Sequence, residues 1–194
     1  IWNGLRKTDQ YLSSKGIPNG DFQHMNQGHL IVFCGGDGGG KTLQSYKLAD
    51  ALRKTATREI VHTREPGGSP GAERIRELVV TGSVDAWTPM TELFLLMAAR
   101  ADHVERTIRP ALERGAIVIS DRFTDSSVAY QGYGQGLDVD FIKALNRRAT
   151  GGLVPDLTIV HDIDPEIGLK RSIARLGNAG SNEDRFEKFD IEFH

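Results

Sequence analysis

His29-Leu-Ile-Val-Phe-Cys-Gly-Gly-Asp-Gly-Gly-Gly-Lys-Thr42 decides the fold of this chain. An apolar run ends in a glycine-rich turn that closes on Lys-Thr with G-x4-G-K-[ST] spacing, and a helical pattern follows over Gln44 to Lys54 with apolar Leu48, Ala51 and Leu52. Strand, turn and helix in that order form a phosphate-binding loop. Its glycines leave backbone N–H groups free to curl round a phosphate chain, and the helix N-terminus behind them adds positive potential. Gly35, Gly36, Asp37, Gly38, Gly39, Gly40, Lys41 and Thr42 are therefore the candidate nucleoside-triphosphate site, with Lys41 for the β- and γ-phosphates and the Thr42 hydroxyl for Mg²⁺. A plain glycine-rich turn is the competing reading; the coincidence of strand, complete spacing and following helix argues against it.

The length of 194 residues suits one domain with a substantial core. A formal charge of −2 provides no polybasic footprint, so nucleic acid is not expected as a partner. The single cysteine, Cys34, excludes an internal disulfide and is compatible with a reducing cytoplasm. The longest apolar run, Leu93 to Ala99, is far short of the roughly 20 residues that cross a bilayer, so no membrane partner is expected.

Residues 1–28 read as a polar N-terminal extension without the apolar centre of a signal peptide, and Met25 stands as a candidate natural start. Residues 29–194 read as the folded domain. At the other end, Arg185 to His194 reads as a helix in progress, with Phe186, Phe189 and Phe193 at helical spacing and no stop signal, so the chain reads as truncated.

Four runs rich in β-branched residues, Leu30–Phe33, Glu59–Thr63, Ala116–Ser120 and Leu157–His161, alternate with longer helical patterns. That alternation predicts a three-layer α/β domain whose parallel sheet is covered on both faces. In the longest predicted helix, Met90 to Arg114, positions Leu93, Met97, Ala101, Val104, Ile108 and Ala111 share one face. Ligands of such sheets gather at the carboxyl ends of the strands.

The strand ends carry charge. The first leads into the phosphate loop, the second into Thr63-Arg64-Glu65-Pro66-Gly67-Gly68, the third into Ser120-Asp121-Arg122-Phe123 and the fourth into Asp162-Ile-Asp164-Pro165. A carboxylate closing an apolar strand, as Asp121 does, suits Mg²⁺ held directly or through its water; a solvated pair with Arg122 is the alternative. Arg64, Arg100 and Arg122 carry forked guanidiniums that suit a second phosphate; each taken alone, Arg100 above all, also reads as an ordinary surface arginine, and their number favours an acceptor that is itself phosphorylated.

These residues resemble the thymidylate kinases over about Leu30 to Phe189. The phosphate loop is similar to that family's F-E-G-x-[DE]-G-x-G-K-[ST]-[ST] run, and Arg64-Glu-Pro-Gly-Gly68 to its Arg-Glu-Pro-Gly-Gly signature. Asp121-Arg-Phe-Thr-Asp-Ser-Ser-Val-Ala-Tyr-Gln-Gly132 resembles its D-R-[YF]-x-x-S-S-x-A-Y-Q-G segment; Pro155-Asp-Leu-Thr158, Asp164 to Arg171 and Asp184-Arg-Phe-Glu187 resemble the strand, helix and post-lid segment that follow. The resemblance implies a P-loop kinase fold with four strands present and the family's fifth, C-terminal strand missing. It implies transfer of the γ-phosphoryl group of Mg-ATP to dTMP, giving dTDP and ADP, by a cytoplasmic homodimer.

Site roles follow from the same resemblance. Arg122 and Arg64 hold the dTMP phosphate, with Glu65 beside them; Asp37 positions donor and acceptor; Arg100 addresses a thymine carbonyl; Leu96, Ser127 and Gln131 line the nucleoside; Tyr130 disfavours a ribose hydroxyl. The metal call falls on Thr42 and Asp121. Because Gly38 and Gly39 follow Asp37, the phosphate loop has no arginine, and a lid over about 176–184 must supply one. Arg171 and Arg175 precede it four apart on one helical face, with Arg175 the first choice.

Three departures from the family pattern stand out. Cys34 replaces a glutamate, Leu43 a second hydroxyl residue, and Leu96 the phenylalanine that stacks on thymine. Leu96 leaves open a related kinase for another nucleoside monophosphate; Cys34, with the missing C-terminus, leaves open a nucleotide-binding homologue without turnover.

Overall fold

The computed structural model describes residues 28–179 and 184–189. Strands β1 (His29–Gly35), β2 (Ile60–Arg64), β3 (Ile117–Asp121) and β4 (Leu157–His161) form one parallel sheet in the order β2-β3-β1-β4. This is the expected α/β architecture, with each strand placed within one or two residues of its sequence pattern.

The central strand shows why its sequence is apolar without alternation. Leu30 and Val32, both fully buried, pack on one face against Val104, Ile108 and Ala111, while Phe33 and Ile31 pack on the other against Ala49, Leu48 and Leu52. Burying such a side chain stabilises by about 1.5–3 kcal/mol, so the sheet is held from both sides. Coverage thins at the β4 edge, where Leu157 and Val160 are exposed by 51% and 65%.

Helix α1 (Lys41–Thr55) starts at the loop lysine itself, three residues before the helical pattern was expected to begin. Its buried stripe is Lys41, Ser45 and Ala49; Ala51 faces solvent. Helix α2 (Pro70–Val80) is capped by Ser69, whose hydroxyl accepts from the Ala72 N–H at 3.3 Å, and α3 (Pro89–His103) by Thr88 in the same way; both have proline in the first turn.

The predicted helix Met90 to Arg114 is three pieces in the structure. Helix α3 passes through a π-helical stretch, Val104–Ile108, into α4 (Arg109–Glu113). The buried stripe of α3 is centred one residue from the expected face, so Ala101 is only partly covered while Ala99, Arg100 and His103 are buried. A second π-helical stretch, Val128–Gly134, follows the short α5 (Thr124–Ser127) and carries Tyr130 and Gln131. Helix α6 (Val139–Thr150) is capped by Asp138 and ends at the left-handed Gly151.

Two further expectations are corrected here. Helix α7 (Pro165–Ala179) continues through 176–179, which the lid reading had taken as loop; residues 180–183 of that lid lie outside the described residues. Phe186–Lys188 is one 3₁₀ turn rather than the start of a helix, because Phe189 turns to extended backbone; Phe193 lies outside the described residues.

The phosphate loop is wedged against α7. A Cβ on Gly38 would come within 1.9 Å of the Gly168 carbonyl oxygen, and one on Gly168 within 2.4 Å of the Asp37 carbonyl oxygen. Only hydrogen fits on either side of this contact. Gly168→Ala should therefore displace the loop and lower its affinity for ATP at least tenfold in a displacement titration, with an unchanged far-UV circular dichroism spectrum. Parental affinity would show that the contact does not shape the loop.

Candidate active site

The parallel register brings the charged strand ends together. Phe33 pairs with Asp121 across β1 and β3, and Arg64 pairs with Asp121 across β2 and β3, so the loop after β1 meets the residues after β3. Arg122 follows at φ 72, a left-handed conformation uncommon outside glycine. It is held there by its own N–H donating to Phe33 O at 2.8 Å and by Ser120 Oγ donating to Arg122 O at 2.8 Å.

The Arg122 guanidinium closes an ion pair on Asp37 of the phosphate loop, and Tyr130 OH donates to the second Asp37 oxygen at 2.7 Å. Burial alone would lower the Arg122 pKa; the Asp37 carboxylate overrides it and raises the value. Burial also pushes the Tyr130 phenol up, with Asp37 adding to the shift against Arg122. Both groups stay protonated across the physiological range.

Lys41 is 5% exposed and donates to Gly36 O at 2.6 Å. Burial first, and the Arg122 charge second, lower its pKa to about 8, against the opposing pull of Asp37 and Asp121. Arg175 contributes in the lowering direction, so its field reaches the loop lysine. Thr42 Oγ1 donates to Asp121 Oδ2 at 2.5 Å, whereas Asp121 Oδ1, equally buried, has no hydrogen-bond partner. A buried carboxylate oxygen without a donor beside a phosphate loop fits a cation or its water. Burial, with Asp125 adding, raises the Cys34 pKa, so a protonated thiol stands where the family pattern has a carboxylate.

The other side of the site rests on a buried network. Arg100, 4% exposed, donates through Nε to Glu65 Oε2 at 2.7 Å, through Nη1 to Ser127 Oγ at 2.9 Å and Asn146 Oδ1 at 2.5 Å, and through Nη2 to Phe123 O at 3.1 Å. These contacts aim the guanidinium and leave one Nη2 hydrogen for a further acceptor. Glu65 also contacts His103 Nδ1 at 3.1 Å, and His103 Nε2 meets Thr63 Oγ1 at 2.7 Å. Burial would raise the Glu65 pKa, but Arg100 and His103 outweigh it and hold the carboxylate below its ordinary range.

One cleft of about 1030 Å³ gathers these groups. Asp37, Gly38, Gly40, Lys41 and Thr42 line one part; Arg64, Glu65, Leu96, Arg100, Arg122, Ser127, Tyr130 and Gln131 line another; Arg171 and Arg175 of α7 also face it, as does Asp121. Gly35, Gly36 and Gly39 shape the loop without lining the cleft. Arg64 is half-exposed and paired with Glu73 at 2.9 Å. Ser127 and Gln131 are buried, the first accepting from Arg100 and the second donating to Glu92 at 2.7 Å. Sequence reading passed over Arg76, which lines the cleft while donating to Pro66 O at 2.9 Å, and His103, whose network role no local motif signals.

The family model for thymidylate kinase matches residues 33–194. The chain belongs to the thymidylate kinase family. It is 52% identical over 170 residues to a thymidylate kinase of Caulobacter vibrioides, covering 88% of this chain and 79% of that one. A thymidylate kinase of Geotalea daltonii is 49% identical over 169 residues, covering 86% and 78%. The crystal structure of thymidylate kinase from Ehrlichia chaffeensis superposes with a TM-score of 0.66 at 37% identity, covering 82% of this chain and 90% of that one.

The lowered Lys41 pKa has two pH consequences in this thymidylate kinase relative. Below about 8 the folded chain holds Lys41 as an ammonium; above it the charge is lost. Affinity for ATP should fall as pH rises from 8 toward 9.5, by up to tenfold per unit in a calorimetric titration, and a flat profile would contradict the assignment. For stability the sign is opposite. Between about 8 and 10.5 the unfolded chain binds more protons at this lysine, so its contribution to folding becomes more favourable as pH rises through that window.

Proposed function

We propose that the cleft transfers the γ-phosphoryl group of ATP to dTMP, giving ADP and dTDP. The observation that carries this reading is the Asp37–Arg122–Tyr130 cluster, which ties the phosphate loop to the segment after β3. Loop residues Asp37, Lys41 and Thr42 and the Arg122 guanidinium line one cleft, which supports reading them as a triphosphate cradle and an acceptor-phosphate arginine. Family membership supports dTMP over other nucleoside monophosphates, and over a homologue that binds without turnover.

In the reaction, an oxygen of the dTMP phosphate attacks the γ-phosphorus as the bond from that phosphorus to the β,γ-bridging oxygen breaks. The attacking oxygen is already ionised, so no general base is needed, and rate enhancement comes from alignment and charge stabilisation. Lys41 addresses the β- and γ-phosphates. Arg122, with Arg64 beside it, holds the acceptor phosphate; Asp37 keeps the Arg122 guanidinium at the junction. Arg175, whose charge acts on Lys41, is the better placed of the two α7 arginines to meet charge developing on the transferred group, with Arg171 one turn behind. Thr42 and Asp121 would hold Mg²⁺, a fit supported by the undonated Asp121 Oδ1. When bound, the ion supplies charge neutralisation at the phosphate oxygens.

In this reading Arg100 offers its remaining N–H to a base carbonyl, and the Tyr130 ring, which lines the cleft, disfavours a ribose 2′-hydroxyl. Leu96, 8% exposed, lines the same part of the cleft. A cytoplasmic homodimer belongs to the same reading, supported by the exposed Phe94 and Met90 on the outer side of α3. No described helix is long and apolar enough to cross a membrane. The domain is read as residues 29–194, with 1–28 as an extension.

ADP release measured with dTMP, dUMP, UMP and dGMP tests the proposal: dTMP should give the highest kcat/KM. Equal or greater stimulation by another monophosphate would reassign the substrate. Leu96→Phe should lower KM for dTMP several-fold, since stacking on a base is worth about 1–3 kcal/mol, with KM for ATP unchanged. An unchanged KM for dTMP would place the base elsewhere.

A further inference from the structure

Glu92 and Arg185, neither given a role above, form an ion pair with no exposed surface on either side chain. Arg185 lies just beyond residues 180–183 and is fastened on all sides. Its Nε donates to Ser83 O at 2.9 Å, Nη1 to Val79 O at 3.1 Å as well as to Glu92 Oε2, and Nη2 to Val84 O at 2.9 Å. Its own N–H donates to Val80 O at 3.2 Å. The guanidinium thus takes three carbonyls from the end of α2 and the turn after it, and one carboxylate from α3.

The other Glu92 oxygen reaches the nucleoside side of the cleft. Oε1 accepts from Gln131 Nε2 at 2.7 Å and from Gln135 Nε2 at 2.8 Å, one glutamine within the π-helical stretch Val128–Gly134 and one directly after it. A carboxylate only accepts, so it dictates which end of the Gln131 amide faces it and leaves the carbonyl end for other partners. The residue after Arg185 acts on the same stretch: the Phe186 ring meets the Tyr130 ring edge-on at 5.8 Å, with the Arg185 guanidinium 5.5 Å from the Phe186 centroid. Both Gln131 and Phe186 line the cleft.

A buried ion pair is a weak device for stability, because well-packed apolar side chains of similar volume often do as well or better. We propose that Glu92 and Arg185 are positioning residues for the acceptor nucleotide: they orient the Gln131 amide and, through Phe186, seat the Tyr130 ring, so they set affinity for dTMP and not for ATP. The proposal rests on the dTMP reading of the cleft.

Calorimetric titration of the full chain with dTMP and, separately, with ATP tests it, alongside steady-state ADP release and thermal melting. Glu92→Gln should weaken dTMP binding at least tenfold and raise KM for dTMP in step, with ATP affinity within twofold of the parent. Arg185→Lys keeps the charge but loses the fork to the carbonyls, and should weaken dTMP at least threefold, less than Arg185→Met does. If dTMP and ATP affinities fall together, or neither moves while the melting temperature drops, the pair is structural support only and the proposal is overturned. Should Glu92→Gln fail to fold, Arg185→Lys decides by the same ratio. Binding of dTMP by the parent without turnover would overturn the kinase reading alone; absence of dTMP binding would overturn both.

Discussion

The ion pair between Asp37 and Arg122 is the constraint on which the site depends. It joins the loop after β1 to the turn after β3, two neighbouring parallel strands whose register sets Phe33 opposite Asp121. Arg122 meets Asp37 from a backbone at positive φ, a conformation that Ser120 Oγ and Phe33 O stabilise. Such strain persists where the surroundings over-determine it, and here it brings the Arg122 guanidinium onto the phosphate loop. Burial, with the Arg122 charge adding to it, lowers the Lys41 pKa to about 8.

Buried charge recurs around this centre in a consistent pattern. Glu65 with Arg100 and His103, and Glu92 with Arg185, are both almost wholly enclosed, and the guanidinium also donates to one backbone carbonyl in the first case and to three in the second. Ion pairs taken out of water persist when every lone pair and proton has a partner; half-satisfied networks are costly. The consequence is orientational. Arg100 is left with one donor, Gln131 with one usable end, and each faces the cleft in a fixed attitude.

Much of this was legible in the chain. The apolar runs marked the four strands because a strand buried on both faces must be apolar throughout. Lys41, Thr42, Asp121 and Arg122 announced themselves by spacing, since loop, strand end and turn are local structures. What stayed hidden has longer range. Nothing near Glu92 in sequence points to Arg185, 93 residues on, and nothing near Gly38 points to Gly168. The π-helical stretches, one directly after His103 and one carrying Gln131, insert a residue into a turn without leaving a period of their own. The extension of α7 to Ala179 was masked by glycine and asparagine residues that read as loop.

The sequence by itself determined the layer order, the phosphate loop and the identity of the charged groups at the strand ends. These follow from hydrophobic period, backbone freedom and side-chain chemistry within a few residues of each other. Only the tertiary structure decided how those groups face one another: which carboxylate claims Arg122, how many donors Arg100 retains, and that the segment beyond α7 is fastened to the same carboxylate that orients Gln131. Pairings of that kind depend on distances between elements remote along the chain, and packing of the whole core sets those distances.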